Sequence, residues 1–129
     1  MIWPIYAALL GIVFVLLSVR TLRLRRRLRV AVGDGGNALM LRGMRVHGNF
    51  AEYVPLGLLL IAGAEALSAP AALVHGLGIV LLVGRLLHAF GVSQEAEVFA
   101  YRVGGMALTF TCYLVAAAAI IWQVIAGGA

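Results

Sequence analysis

The chain has no lysine, a single cysteine and only five acidic residues among its 129 positions. One cysteine excludes an intrachain disulfide and a cluster of cysteine metal ligands. Cys112 stands deep in an apolar segment, where a thiol is expected to be buried and inert. The histidines do not replace it as ligands. His47, His75 and His88 fall on different segments or at opposite depths, with no paired ligand spacing, so no metal site is expected. Internal repeats and low-complexity linkers are also missing, which leaves residues 1–129 as one domain.

The chain does have apolar surface, in excess. Hydrophobic residues make up 64% and the mean hydropathy is +1.05. A soluble domain lies nearer to about 45–50% apolar, so this composition describes an integral membrane protein. The length admits no more than four spans of roughly 20 residues each. Span one is expected from Ile2 to Val19, with its helix continuing toward Arg29. The turn cluster Gly33-Asp34-Gly35-Gly36-Asn37 stops it. Span two is expected from Ala38 to Leu67, and Ser68-Ala69-Pro70 is a tight connection with Pro70 in the first turn of the next helix. Span three follows from Ala71 to Phe90, then a loop Gly91–Glu97, then span four from Ala100 to Val124. The N-terminus does not read as a cleavable signal. Its basic residues follow the apolar run instead of preceding it. Trp3, Tyr113 and Trp122 read as packing or interface residues.

Six of the ten arginines lie between Arg20 and Arg29. No nucleic-acid reader motif accompanies them, and a basic run just after a hydrophobic span is a topology signal or a lipid-headgroup contact. It places the first loop in the cytoplasm and both termini outside. The alternation of spans then has a consequence. Arg42–Tyr53 opens span two, Arg85 and His88 close span three, and Arg102 opens span four. All three groups are expected at the cytoplasmic end, while the outer half keeps little beyond Glu65 and His75.

Charged residues in a bilayer are costly and usually mark a binding site or a proton or ion path. At about 100° per residue, Arg42, Arg45, Asn49, Glu52 and Tyr53 share roughly a third of one helix face. Two cations, an amide, a carboxylate and a phenol on one stripe suit a zwitterionic or anionic small molecule. Arg85 and His88, three apart, share a face of span three. Arg102 sits at a helix N-terminus, where the dipole disfavours a cation and a bound anion offsets the cost. His47 points far round the helix from Glu52 and cannot line the same pocket within one bundle. In a symmetric oligomer it faces a neighbour's site.

Arg45-x-His47-x-Asn49-x-x-Glu52-Tyr53-x-Pro55, then Gly84-Arg85-x-x-His88, then Arg102, resembles the MAPEG family of membrane-associated proteins in eicosanoid and glutathione metabolism. The resemblance covers nearly the whole chain. The element Gly84-Arg85-x-x-His88 is similar to the prostaglandin E synthase branch, and Gly33-Asp34-Gly35-Gly36-Asn37 to bacterial members. It implies an all-α bundle of four transmembrane helices that assembles as a homotrimer, with glutathione bound between subunits on the cytosolic side. It assigns glutathione binding to Arg45, Asn49, Glu52, Tyr53, Arg85 and His88, with His47 reaching a neighbour's ligand, and the stripe adds Arg42 to that set. Arg102 takes the place of the arginine that assists the thiol. Many eukaryotic members carry a tyrosine one turn after the span-three histidine; Gly91-Val92 stand there in this chain.

Glutathione fits those residue types. Its two carboxylates suit arginine forks, its ammonium suits Glu52 and its amides suit Asn49. The expected activity is attack of the glutathione thiolate on a hydrophobic electrophile or hydroperoxide arriving from the lipid. Two other readings stay open: a binding protein of the same fold without turnover, and a small proton-coupled multidrug exchanger using Glu52. The expected location is the inner membrane of a bacterium.

Overall fold

The computed structural model describes residues 1–127 as four helices and no strand: α1 (Trp3–Leu28), α2 (Ala38–Ala66), α3 (Ala71–Ser93) and α4 (Phe99–Gly127). α1, α3 and α4 are long and apolar enough to cross a membrane. α2 has the length, 29 residues or about 44 Å of helix, but carries the polar stripe in its first half. The chain runs up and down, so the end of α1, the start of α2, the end of α3 and the start of α4 lie together. α2 and α3 occupy the middle, and each touches the other three helices.

The buried residues of α2 run Met40, Gly43, Val46, Phe50, Val54, Gly57, Ile61 and Ala64, a seam at spacings of three and four. It closes on Leu10 of α1, Leu77 and Leu81 of α3, and Cys112 and Ala116 of α4. Cys112 is buried as expected, its thiol directed at the Leu77 carbonyl. Where α3 crosses α4 the backbones nearly touch. A Cβ on Gly105 would lie 2.6 Å from the Gly84 carbonyl oxygen and from the His88 amide nitrogen. Small residues permit this approach, which packing between helices in lipid favours.

The ends of the helices are built from identifiable partners. α1 continues to Leu28, and the Arg25 guanidinium donates to the Gly33 carbonyl at 2.9 Å, folding the following turn back on the helix. Asn37 belongs to α2 as its N-cap. Its side chain accepts from the Leu39 and Met40 amides at 3.0 and 3.1 Å. Pro70 falls one place earlier than expected, as the N-cap of α3. At the opposite end from the arginines, Glu65 caps another helix. Its carboxylate accepts from the Ile2 and Trp3 amides at 2.5 and 2.9 Å, satisfying free N–H groups at the start of α1.

One boundary differs more. The expected loop Gly91–Glu97 is shorter, because α3 runs on to Ser93 and the connection is Gln94–Val98. Gly91 stays helical while the first turn of α4 lies directly on it. A Cβ there would meet the Arg102 nitrogen and the Tyr101 Cβ, each at 2.9 Å. Glycine at this position therefore sets where Arg102 stands. Ser93, in the last turn, accepts from Arg20 of α1 at 2.6 Å.

Candidate functional site

The seam of α2 determines what the polar stripe can reach. It divides the stripe. Asn49 and Tyr53 lie on the flank turned to α3 and α4, and Arg42 leans toward the α3–α4 connection. Arg45 and Glu52 are exposed, with Glu52 nearly opposite the seam and facing away from its own bundle. The stripe is therefore not one pocket within a single chain.

Its inward part meets Arg85, which is 1% exposed. The Arg85 Nε donates to Thr109 Oγ1 at 2.9 Å and Nη1 donates to Asn49 Oδ1 at 2.6 Å. Nη2 reaches the Gly105 carbonyl at 3.4 Å and the Met106 sulfur at 3.2 Å. The guanidinium carbon stands 5.3 Å from the centroid of the Tyr53 ring, a cation–π distance. The Tyr113 hydroxyl donates to the Tyr53 carbonyl, so α4 fixes that part of α2 a second time. Arg85 thus ties α2, α3 and α4 together through one cation. His88, one turn further along α3, is also buried, with its backbone against Gly105.

Beyond His88 the same face of α3 reaches Val92 and opens into a groove of about 280 Å³. Arg42, Arg45 and Arg102 line it, with Glu97 among them and Ala38, Leu41 and Val92 as its apolar wall. Arg42 donates to the Val92 carbonyl at 3.2 Å and pairs with Glu97 Oε2 at 3.0 Å. Arg102 stands 3.6 Å from the other oxygen, Oε1. Three guanidiniums against one carboxylate leave the groove electropositive. A second groove, of about 380 Å³, starts from the same arginine: besides Arg102 it is lined by Phe99, Val103, Met106, Ala107 and Phe110. Arg102 therefore stands where a polar groove and an apolar groove adjoin.

His47 lies on the other flank of α2. Its Nε2 is 2.9 Å from Ser18 Oγ and its ring stacks on Phe14 at 4.9 Å, both on α1. Within one chain it is separated from Arg85 and Arg102 by the seam. The structure brings Arg42, Arg45 and Arg102 to one groove and Asn49, Tyr53 and Arg85 to one cluster, with His88 between them. It leaves His47 and Glu52 on other faces.

Three contributors were not singled out in the sequence. Glu97 reads from the sequence only as a loop residue, although an acid just before a helix N-terminus is a recognisable signal. Thr109 and the carbonyl of Tyr53 gain their roles only from helix crossings, which leave no local trace.

These features have relatives. The inner membrane protein YecN of Escherichia coli K12 is 37% identical over 122 residues, covering 95% of this chain and 92% of YecN. YecN of an Escherichia coli O6:H1 strain matches with the same identity and coverage. The MAPEG family model matches residues 3–122, which takes in α1, α2, α3, most of α4 and every arginine of the groove. The chain belongs to the MAPEG family of membrane proteins.

Proposed function

We propose that this protein binds glutathione in the arginine groove and uses its thiol against hydrophobic electrophiles or hydroperoxides. The observation that carries the reading is the position of Arg102 between a polar groove and an apolar one. A transferase for such a pair of substrates needs a cation at that junction. Arg42 and Arg45 offer forks for the tripeptide carboxylates, and their geometry suits bidentate pairing. Asn49 is held in place by Arg85, which is itself enclosed. Arg85 therefore acts on the ligand by orienting Asn49 and Tyr53, and His88 extends that support toward the groove.

When bound, glutathione supplies the nucleophilic sulfur. A free thiol has a pKa near about 8.5, and a guanidinium close to it favours the thiolate. Arg102 is the residue placed for this, half-exposed and with only a long contact to Glu97. The apolar groove along Val103, Met106 and Phe110 takes the second substrate from the lipid.

The assembly is a homotrimer in this reading. Glu52 faces away from its own bundle in a largely apolar setting, near the exposed Leu56 and Leu59. An unpartnered carboxylate facing lipid is costly, so a neighbouring subunit that covers it and brings it to a ligand ammonium removes the cost. His47, on the α1 flank, then serves the site of an adjoining subunit. The arginine run after α1 orients the groove to the cytoplasm, with both termini outside. The relative named as an inner membrane protein supports the same membrane for this chain.

The test is turnover by the purified protein with 1-chloro-2,4-dinitrobenzene and glutathione. Conjugation above the uncatalysed rate, reduced at least roughly a hundredfold in Arg102→Ala, supports the reading, by the size usual for loss of a charge-stabilising donor. Binding of glutathione without turnover leaves a binding protein of the same fold. Proton-coupled drug flux in liposomes that Glu52→Gln abolishes would replace it with an exchanger.

A further inference from the structure

Two arginines converge on the Glu97 carboxylate, and they satisfy it unevenly. Oε2 accepts from Arg42 at 3.0 Å, whereas Oε1 has Arg102 only at 3.6 Å. Oε1 has no hydrogen-bond partner among the described residues, yet the side chain is only 7% exposed. A charged oxygen removed from water without a hydrogen bond is poorly accommodated. Glu97 also stands on a connection and not on a helix. The backbone bonds of that connection lie at its ends, from Gln94 N–H to the Gly91 carbonyl and from Tyr101 N–H to the Val98 carbonyl. Between them, Glu95 and Ala96 are exposed. The side chain of Glu97 is the main tie between this loop and the bundle.

We propose that Glu97 is an internal anion occupying the place of a ligand carboxylate. In the free protein it keeps Arg42 and Arg102 convergent, which otherwise repel across the groove. An incoming carboxylate takes Arg42 in its place and leaves Arg102 free for the thiol, because two carboxylates on one guanidinium repel each other. Glu97 then moves to solvent and the Gln94–Val98 loop is released. The exchange makes the groove selective. A ligand must bring a carboxylate and enough further contacts to outcompete a tethered one, so small monoanions are rejected. This deepens the proposed function and rests on it for the identity of the ligand, while the exchange itself concerns any carboxylate.

The experiment uses the full chain purified in detergent, with glutathione and glutarate as separate probes in titration calorimetry. Glu97→Gln and Glu97→Ala are compared with the parent, the alanine variant serving if the amide hinders folding. Both variants are expected to bind each probe about tenfold more tightly, a difference of about 1.4 kcal/mol. A nitroxide on Ala96→Cys should gain mobility when glutathione binds the parent, and be mobile beforehand when combined with Glu97→Gln. Weaker or unchanged binding in both variants overturns the exchange and makes Glu97 a positioning residue; if glutathione still binds, the proposed function stands. Tighter glutarate binding with no glutathione binding in any variant upholds the exchange and removes glutathione as the ligand. Neither probe binding any variant overturns the exchange.

Discussion

Arg85 Nη1 and Asn49 Oδ1 meet at 2.6 Å between α3 and α2, and the same guanidinium reaches Thr109 on α4 at 2.9 Å. Three helices thus share one cation that water does not reach. Such a network is strong when complete, since charge-assisted bonds exceed neutral ones and a low dielectric strengthens them. It is fragile when broken, because each remaining partner is left without water. Asn49→Leu takes the Nη1 acceptor from a buried cation and should cost about 2–3 kcal/mol. Thr109→Val takes the Nε acceptor from the same cation and should cost about as much. Thermal unfolding in detergent measures both, and losses below about 0.5 kcal/mol in each would contradict a network centred on the charge.

Close approach of α3 and α4 rests on Gly105. Gly105→Ala places a Cβ 2.6 Å from backbone atoms of Gly84 and His88, so the helices must separate. The expected loss is about 1–3 kcal/mol, as for overpacked cores. Its neighbour serves as a control. A Cβ on Gly104 meets only Leu87 at 3.5 Å, so Gly104→Ala should gain about 0.5–1 kcal/mol of helix propensity. Melting temperatures that move in the same direction for both would contradict this packing.

At the far end, Glu65→Ala should lower the melting temperature and speed hydrogen exchange at the Ile2 and Trp3 amides, because α1 loses its cap. Ligand binding should not change, since the arginine groove is at the other end of the bundle. Reduced binding with unaltered exchange at those amides would contradict the assignment of Glu65 to capping.

The helices were legible for a plain reason: apolar runs of the right length stand between short polar connections, and only four fit. The polar groups share one end because the chain reverses at each connection. Less was legible where tertiary contact decides. Helical geometry puts Arg42, Arg45, Asn49, Glu52 and Tyr53 on one stripe, but does not show where the seam of α2 cuts it, because that depends on what packs against the helix. The seam turned Asn49 to Arg85 and Glu52 outward. Glu65 reads as an isolated acid until α1 is folded beside it. α3 outlasts its apolar run because Arg20 and Ser93 bond its last turn to α1.

His47 and Glu52 lie on faces that their own bundle does not use for the groove. His47→Phe keeps the stacking on Phe14 and loses only the Ser18 bond, so the fold should survive with a melting temperature near the parent's. If subunits complete each other's sites, His47→Phe and Glu52→Gln should each weaken glutathione binding, and native mass spectrometry should report a trimer. Monomeric protein with unchanged binding in both variants would contradict a shared site.

The central claim is that the arginine groove holds glutathione, and thermal unfolding of the purified protein with and without it tests this most directly. A ligand at a hundredfold excess over its Kd stabilises the folded state by about 2.7 kcal/mol. For a chain of this size that raises the melting temperature by several degrees, and the rise should vanish in Arg42→Ala. No rise at saturating millimolar glutathione, or an equal rise in Arg42→Ala, would contradict the account.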